Sequence, residues 1–237
     1  MASGCDTAVF FDPALRRAGL AIDKRFSHLP REKRYVRFAM IQKMAELAIA
    51  VPRWRLPFTL FLAAYVFMLR VPSECLPVVV HAQAAAATEE TPIFYLRDDH
   101  AVWYLPSRKN WARPSVVRRS CTCAICRLTC PVHVLGAAFS AMPAGTSPFA
   151  SISRDRAIQL LRQMLKLQHV EDADSFGTHD CRRGHCDDMI RAGSGLVDIL
   201  IAGGWRAPGG QRSYVDMVDL EQRAALEAHY ATLAEAD

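Results

Sequence analysis

The sequence predicts a mainly α-helical protein with one small antiparallel β-sheet, an α+β arrangement. Three observations carry that expectation. Apolar residues recur at three- and four-residue steps through 32–51 and 154–169, the period of a helix with one buried face. Short β-rich runs at 93–97, 101–105 and 115–118 lie close together between polar turns, the pattern of hairpin-linked strands. The chain has 237 residues, of which 51% are hydrophobic, so a packed core is within reach and global disorder is not expected.

Taken in order, residues 1–31 have little periodicity and two basic pairs, Arg16-Arg17 and Lys24-Arg25. They read as a tail or the remnant of a preceding domain, with one larger domain over 32–237. In 32–51, Tyr35, Phe38, Ile41, Met44, Leu47 and Ala48 would face the core, and Pro52 ends the helix. Residues 60–69 are apolar all round and predict a buried helix. Val78, Val79 and Val80 suggest a short strand, and 83–91 a loop. Asp98-Asp99 separates two β-rich runs as a hairpin turn, and Ser107-Arg108-Lys109-Asn110 reads as a second turn. A short helix is expected over 134–142. The helix at 154–169 would bury Ile158, Leu161, Met164, Leu165 and Gln168. Residues 179–192 are helical and closed by Gly193, 196–202 by Gly203-Gly204, and 219–235 form a last Ala- and Leu-rich helix.

A net charge of +5 fits a polyanionic partner without requiring one. The first residues lack the basic start and apolar run of a secretory signal, so an intracellular, reducing compartment is expected, with thiols free or metal-bound. The most apolar stretch, 56–69, is shorter than the ~20 residues of a membrane span and ends at Arg70. No membrane association is expected.

The chemistry is concentrated in 176–220. His179 and Arg182 lie on one helical turn, where both can grip a single phosphate. Gly203-Gly204-Trp205 follows, then a lone tyrosine, Tyr214. This stretch resembles the catalytic domain of tyrosine recombinases, the phage-integrase family. The H-x-x-R box is His179-Asp180-Cys181-Arg182, and the intervals to Trp205 and on to Tyr214 match the family's usual spacing. Gly193, Leu196 and Ile199 resemble its G-x-x-L-x-x-I run. Upstream, Leu69-Arg70-Val71-Pro72-Ser73-Glu74 is similar to its A-x-x-x-L-R-x-x-E segment, and Lys109 stands where the family carries a lysine on a hairpin turn. The hairpin, the Cys-rich block and the C-terminal block together look most like the eukaryotic recombinases of Crypton-type mobile elements.

The resemblance implies DNA strand cleavage and rejoining through a covalent 3′-phosphotyrosyl intermediate, in site-specific recombination or integration. Arg70 and Arg182 would offer permanently charged forks to the phosphate oxygens. His179 would bind the phosphate or take the tyrosine proton, and Lys109 would protonate the departing 5′-oxygen. Tyr214 would be the nucleophile and Trp205 an indole wall and donor. Glu74 would hold Arg70 or His179 from behind. Arg108, Arg118, Arg119, Arg183, Arg206 and Arg212 are candidates for DNA-backbone contacts. The implied partner is double-stranded DNA, with a homo-oligomer assembled on it, and the location is nuclear if the source is eukaryotic. The mechanism requires no metal. Two other functions are open: an inactive or host-adapted DNA-binding remnant, suggested by the short 1–31 segment, and type IB topoisomerase-like relaxation.

Cys121, Cys123, Cys126, Cys130 and His133 form a C-x-C-x2-C-x3-C-x2-H pattern with enough soft ligands for one tetrahedral zinc. The other reading is a set of buried, reduced thiols. A zinc there would be structural.

Overall fold

A computed structural model describes residues 33–82, 90–108 and 114–204. Lys109, Trp205, Arg206, Arg212, Tyr214 and the helix expected at 219–235 lie outside the described residues. The chain divides into two compact units, Met1–Lys33 and Arg34–Asp237, and every element below belongs to the second.

Helix α1 spans Phe38–Ala50 and buries Ile41, Met44, Ala45 and Ala48. It begins six residues later than the periodicity suggested. The reason lies in the backbone: the Val36 N–H donates to the Asp180 carbonyl (3.0 Å) and the Phe38 N–H to the Asp188 carboxylate (2.8 Å). Residues 34–37 are thereby drawn out as an extended strap. The Asp188 carboxylate also serves the exposed N–H at the start of α1, where an acid is favourable. A 3-10 turn, Pro52–Trp54, leads into α2, Arg55–Val66, whose residues from Pro57 to Val66 are all buried. A helix apolar on every side can only sit inside, and each Leu or Phe so placed contributes ~1.5–3 kcal/mol.

After α2 the chain passes Met68 in a left-handed conformation (φ 51) and enters a π-helical turn, Val71–Cys75. The sheet follows: β1 (Val79–Val80), β2 (Ile93–Arg97), β3 (His100–Leu105) and β4 (Ser115–Ser120), in that spatial order. The β2–β3 and β3–β4 pairs are antiparallel, as expected, whereas β1 joins β2 in parallel over two residues. Asp98 takes the left-handed turn position (φ 52) of the β2–β3 hairpin. Trp103 of β3 is wholly buried, packed against Phe67 and Phe94 with ring centroids at 5.5 and 5.6 Å.

Helix α3, Pro131–Phe139, starts with its proline in the first turn, three residues before the expected 134. Helix α4, Arg154–Lys166, is capped by the Ser153 hydroxyl, which accepts from the Arg156 N–H. Its buried stripe is Ala157, Leu160, Leu161, Met164 and Leu165; Ile158 is part-buried, and Gln168, also part-buried, lies past the helix's end. Helices α5 (His179–Arg191) and α6 (Leu196–Gly203) end as anticipated, with Gly193 at φ 82 and Gly204 at φ 63.

Candidate active site

The site is built where three segments meet behind one carboxylate. Arg70 and Glu74 come from the π turn, Arg108 from the segment just after β3, and Arg182 from the first turn of α5. Glu74 is almost wholly buried. Its carboxylate accepts from the Arg70 side chain at 3.1 Å and from the Arg70 backbone N–H at 2.8 Å. It accepts two bonds from Arg108, at 3.1 and 3.2 Å, a two-point fork-to-carboxylate match. Arg182 Nη1 lies 3.5 Å away.

The π turn explains how Glu74 gets there. Three residues separate Arg70 from Glu74. The N–H groups of Cys75 and Leu76 reach back five residues, to the carbonyls of Arg70 and Val71 (3.2 and 2.9 Å). The widened turn returns the carboxylate to its own arginine. Trp103 fixes the turn from the sheet side, since its indole N–H donates to the Glu74 carbonyl at 3.0 Å.

Burial alone would push the Glu74 carboxyl up. The Arg108 guanidinium, with Arg182 and the Arg70 amide, overrides burial and holds it below the ordinary carboxylate range. Among the described residues, three guanidiniums face this one carboxylate, an excess of positive charge. His179, at the start of α5, is exposed. The protein atoms crowding it, then the charges of Arg183, Arg182 and Arg70, hold its imidazole below the usual histidine value. A neutral imidazole at pH 7 is therefore beside the arginines, able to accept a proton.

Accessibility is uneven. The Arg70 side chain is 18% exposed and Arg182 not at all. Among the described residues of the site, His179 and Arg70 are the ones that solvent reaches.

Two of the arginines assigned to DNA do other work here. Arg108 is buried, and beyond Glu74 it donates to the carbonyls of Gly203 and Gly204 at the end of α6. Its guanidinium is committed inside the protein. Nothing in a polar turn next to a lysine signals this; the partner acid lies 34 residues upstream. Arg119 on β4 donates to Val66 at the end of α2 and Ala202 near the end of α6, and lies over the Phe67 ring. It closes two helix C-termini, where a cation is favoured. Burial, then the neighbouring Arg108, lowers its guanidinium to about 10. Arg183 pairs with Asp180 at 2.8 Å, and Arg118 is exposed. His185, on α5, packs edge-on against the Tyr65 ring at 4.7 Å; burial holds its imidazole low, at about 3. The Tyr65 hydroxyl donates to Asp188 at 2.5 Å, a link from α2 to α5 that no local pattern announces.

No protein-family model matches the sequence, and no curated protein does. Among solved structures the chain is similar to a XerH site-specific recombinase bound to a palindromic difH substrate, in a post-cleavage complex. The TM-score is 0.52 and the identity 11%, over 85% of this chain and 53% of that one. The fold is that of a tyrosine recombinase catalytic domain. The chain spans about half the length of the recombinase it matches. Among the described residues, no helix is long and apolar enough to cross a membrane.

Of the recombinase-like positions, Arg70, Glu74, His179 and Arg182 are brought into one neighbourhood. Lys109, Trp205 and Tyr214 lie outside the described residues. Of the five metal candidates, Cys121, Cys123, Cys130 and His133 come together, while Cys126 turns away toward Gln42.

Proposed function

We propose that this chain cleaves and rejoins a DNA strand through a covalent tyrosyl phosphodiester. The observation that carries the reading is the gathering of Arg70, Arg182 and His179 around the buried Glu74 carboxylate, with positive charge in excess. Such a site suits the extra negative charge that builds on a phosphodiester under attack. The fold and the order of the motifs in the chain support it.

In this reading the Tyr214 oxygen attacks the scissile phosphorus. Its proton passes to His179, which is neutral at pH 7, or to water beside it. Arg70 and Arg182 neutralise the non-bridging oxygens. The bond to the 5′-oxygen breaks and Lys109 gives that oxygen its proton. The product is a 3′-phosphotyrosyl link, which conserves the bond energy until a 5′-hydroxyl attacks and releases the tyrosine. Trp205 would close one wall. Strand exchange needs a second duplex and a second copy of the chain. A role in a mobile element of Crypton type, and a nuclear site of action, belong to the same proposal and rest on the sequence resemblance.

A duplex nicked just beyond the cleavage point tests this, because loss of the short 5′ fragment traps the adduct. Since the target site is unknown, a pool of randomised nicked duplexes is the practical probe. The expected result is a DNA–protein adduct that survives denaturation and disappears in Tyr214→Phe. Arg182→Ala should slow its formation about 10²–10³-fold. Binding without an adduct would favour a DNA-binding remnant, and relaxation of supercoils without strand transfer a topoisomerase-like activity.

A further inference from the structure

We propose that Cys121, Cys123, Cys130 and His133 hold one structural zinc ion, and that Cys126 takes no part in it. The inference is independent of the recombinase reading. It starts from the four ligand atoms, which all lie within 4.8 Å of one another. His133 Nδ1 is 3.6 Å from Cys121 Sγ, 3.1 Å from Cys123 Sγ and 3.4 Å from Cys130 Sγ. Cys121 Sγ and Cys130 Sγ are 3.7 Å apart.

Hydrogen bonding does not account for this cluster. An imidazole nitrogen has one lone pair or one proton, so it serves one sulfur, not three. A disulfide does not account for it either, because bonded sulfurs lie at about 2.0 Å. A tetrahedral zinc with Zn–S near 2.3 Å and Zn–N near 2.05 Å requires S···S edges of about 3.8 Å and S···N edges of about 3.6 Å. The four separations given above, 3.1 to 3.7 Å, lie within about 0.5 Å of those edges, and the other two are no longer than 4.8 Å. Three thiolates and an imidazole form a closed set with no open position, which is the structural rather than the catalytic pattern.

The surroundings fit as well. The Thr122 backbone N–H points at Cys130 Sγ from 3.3 Å, the kind of contact that steadies a metal-bound thiolate. Cys130 is the residue just before α3 and His133 lies in its first turn, which brings the sulfur and the imidazole together. Cys121 follows directly from β4, and its N–H still donates to the Asp99 carbonyl at 3.1 Å. A zinc here would staple the end of β4 to the start of α3. Cys126, between the two ligand pairs, has Gln42 Nε2 3.7 Å from its sulfur, on the α1 side.

The test uses the full chain without a histidine tag, purified from zinc-supplemented cells. Elemental analysis should find one zinc and no iron per chain. Cobalt(II) added to the chelator-stripped protein should give thiolate charge-transfer absorption. Cys126→Ser should keep both signals, and Cys123→Ser should lose both. Wild-type protein without stoichiometric zinc and without the cobalt–thiolate band would overturn the proposal. So would iron in place of zinc, or loss of metal in Cys126→Ser equal to that in Cys123→Ser. If Cys123→Ser does not fold, the wild-type and Cys126→Ser measurements still decide.

Discussion

Replacing Glu74 by glutamine leaves Arg108 and Arg182 inside the protein facing a neutral amide. The carboxylate is 3% exposed and the two guanidinium side chains 5% and 0%, so water does little to soften the change. Breaking a buried pair on one side typically costs ~3–5 kcal/mol. Glu74→Gln is expected to fall at or above the lower end, measured as a shift of the urea midpoint at unchanged slope. The same residue predicts acid sensitivity. Its folded pKa is depressed, so its stabilisation is complete well above the unfolded value of about 4.3 and is lost as pH falls through the folded one. His179 acts in the same direction by a different route. Its folded pKa is also depressed, so below about 6.5 the unfolded chain binds more protons and stability drops. Proton NMR of the His179 ring should place its titration below 6.5. A value at or above that figure would contradict a neutral base beside the arginines.

Two glycines show how elements are fitted to one another. Gly184 lies where the 34–37 strap crosses α5, and a Cβ there would stand 1.8 Å from the Val36 carbonyl oxygen. Backbone cannot yield as a side-chain tip does, so Gly184→Ala should cost about 3 kcal/mol by denaturant unfolding. Gly204 closes α6 at φ 63, and a Cβ there would meet Arg108 Nη1 at 2.6 Å. Gly204→Ala should therefore strain the backbone by ~1–2 kcal/mol and also disturb the Arg108–Glu74 pair. Element by element, the sequence was most legible where periodicity rules. The all-apolar stretch became α2, the two glycine stops closed α5 and α6, and Asp98-Asp99 became a hairpin turn. It was least legible where long-range bonds decide. The Val36–Asp180 and Phe38–Asp188 bonds delay α1, and the π turn at Val71–Cys75 is held from the sheet by Trp103. In the site, residue types and order pointed to Arg70, Glu74, His179 and Arg182. The burial of Arg108 could not be read, since its partners are 34 and 95 residues away in the chain.

At the scale of the molecule, the sheet serves as the brace of the helical site. Trp103 holds the backbone of Glu74, Arg108 holds its carboxylate, and Arg119 ties the ends of α2 and α6 to β4. Adjacent arginines on one strand are thereby given different tasks, because successive side chains of a strand face opposite ways. Arg118 is exposed, whereas the Arg119 guanidinium is engaged with two helix ends. If the chain, of net charge +5, grips duplex DNA as proposed, an exposed arginine contributes mainly by displacing counterions. Arg118→Ala should weaken DNA binding evenly across sequences, lower the slope of log K against log salt by about one, and leave the unfolding midpoint almost unchanged. Arg119→Ala should do the reverse. It would free two carbonyl ends and lower the unfolding midpoint, with little change in salt slope once the comparison is made on folded protein. Salt-dependent binding and denaturant unfolding of the two variants separate these roles. If Arg119→Ala changed the salt slope as much as Arg118→Ala while leaving stability intact, β4 would be a DNA-facing strand on both sides and not a brace.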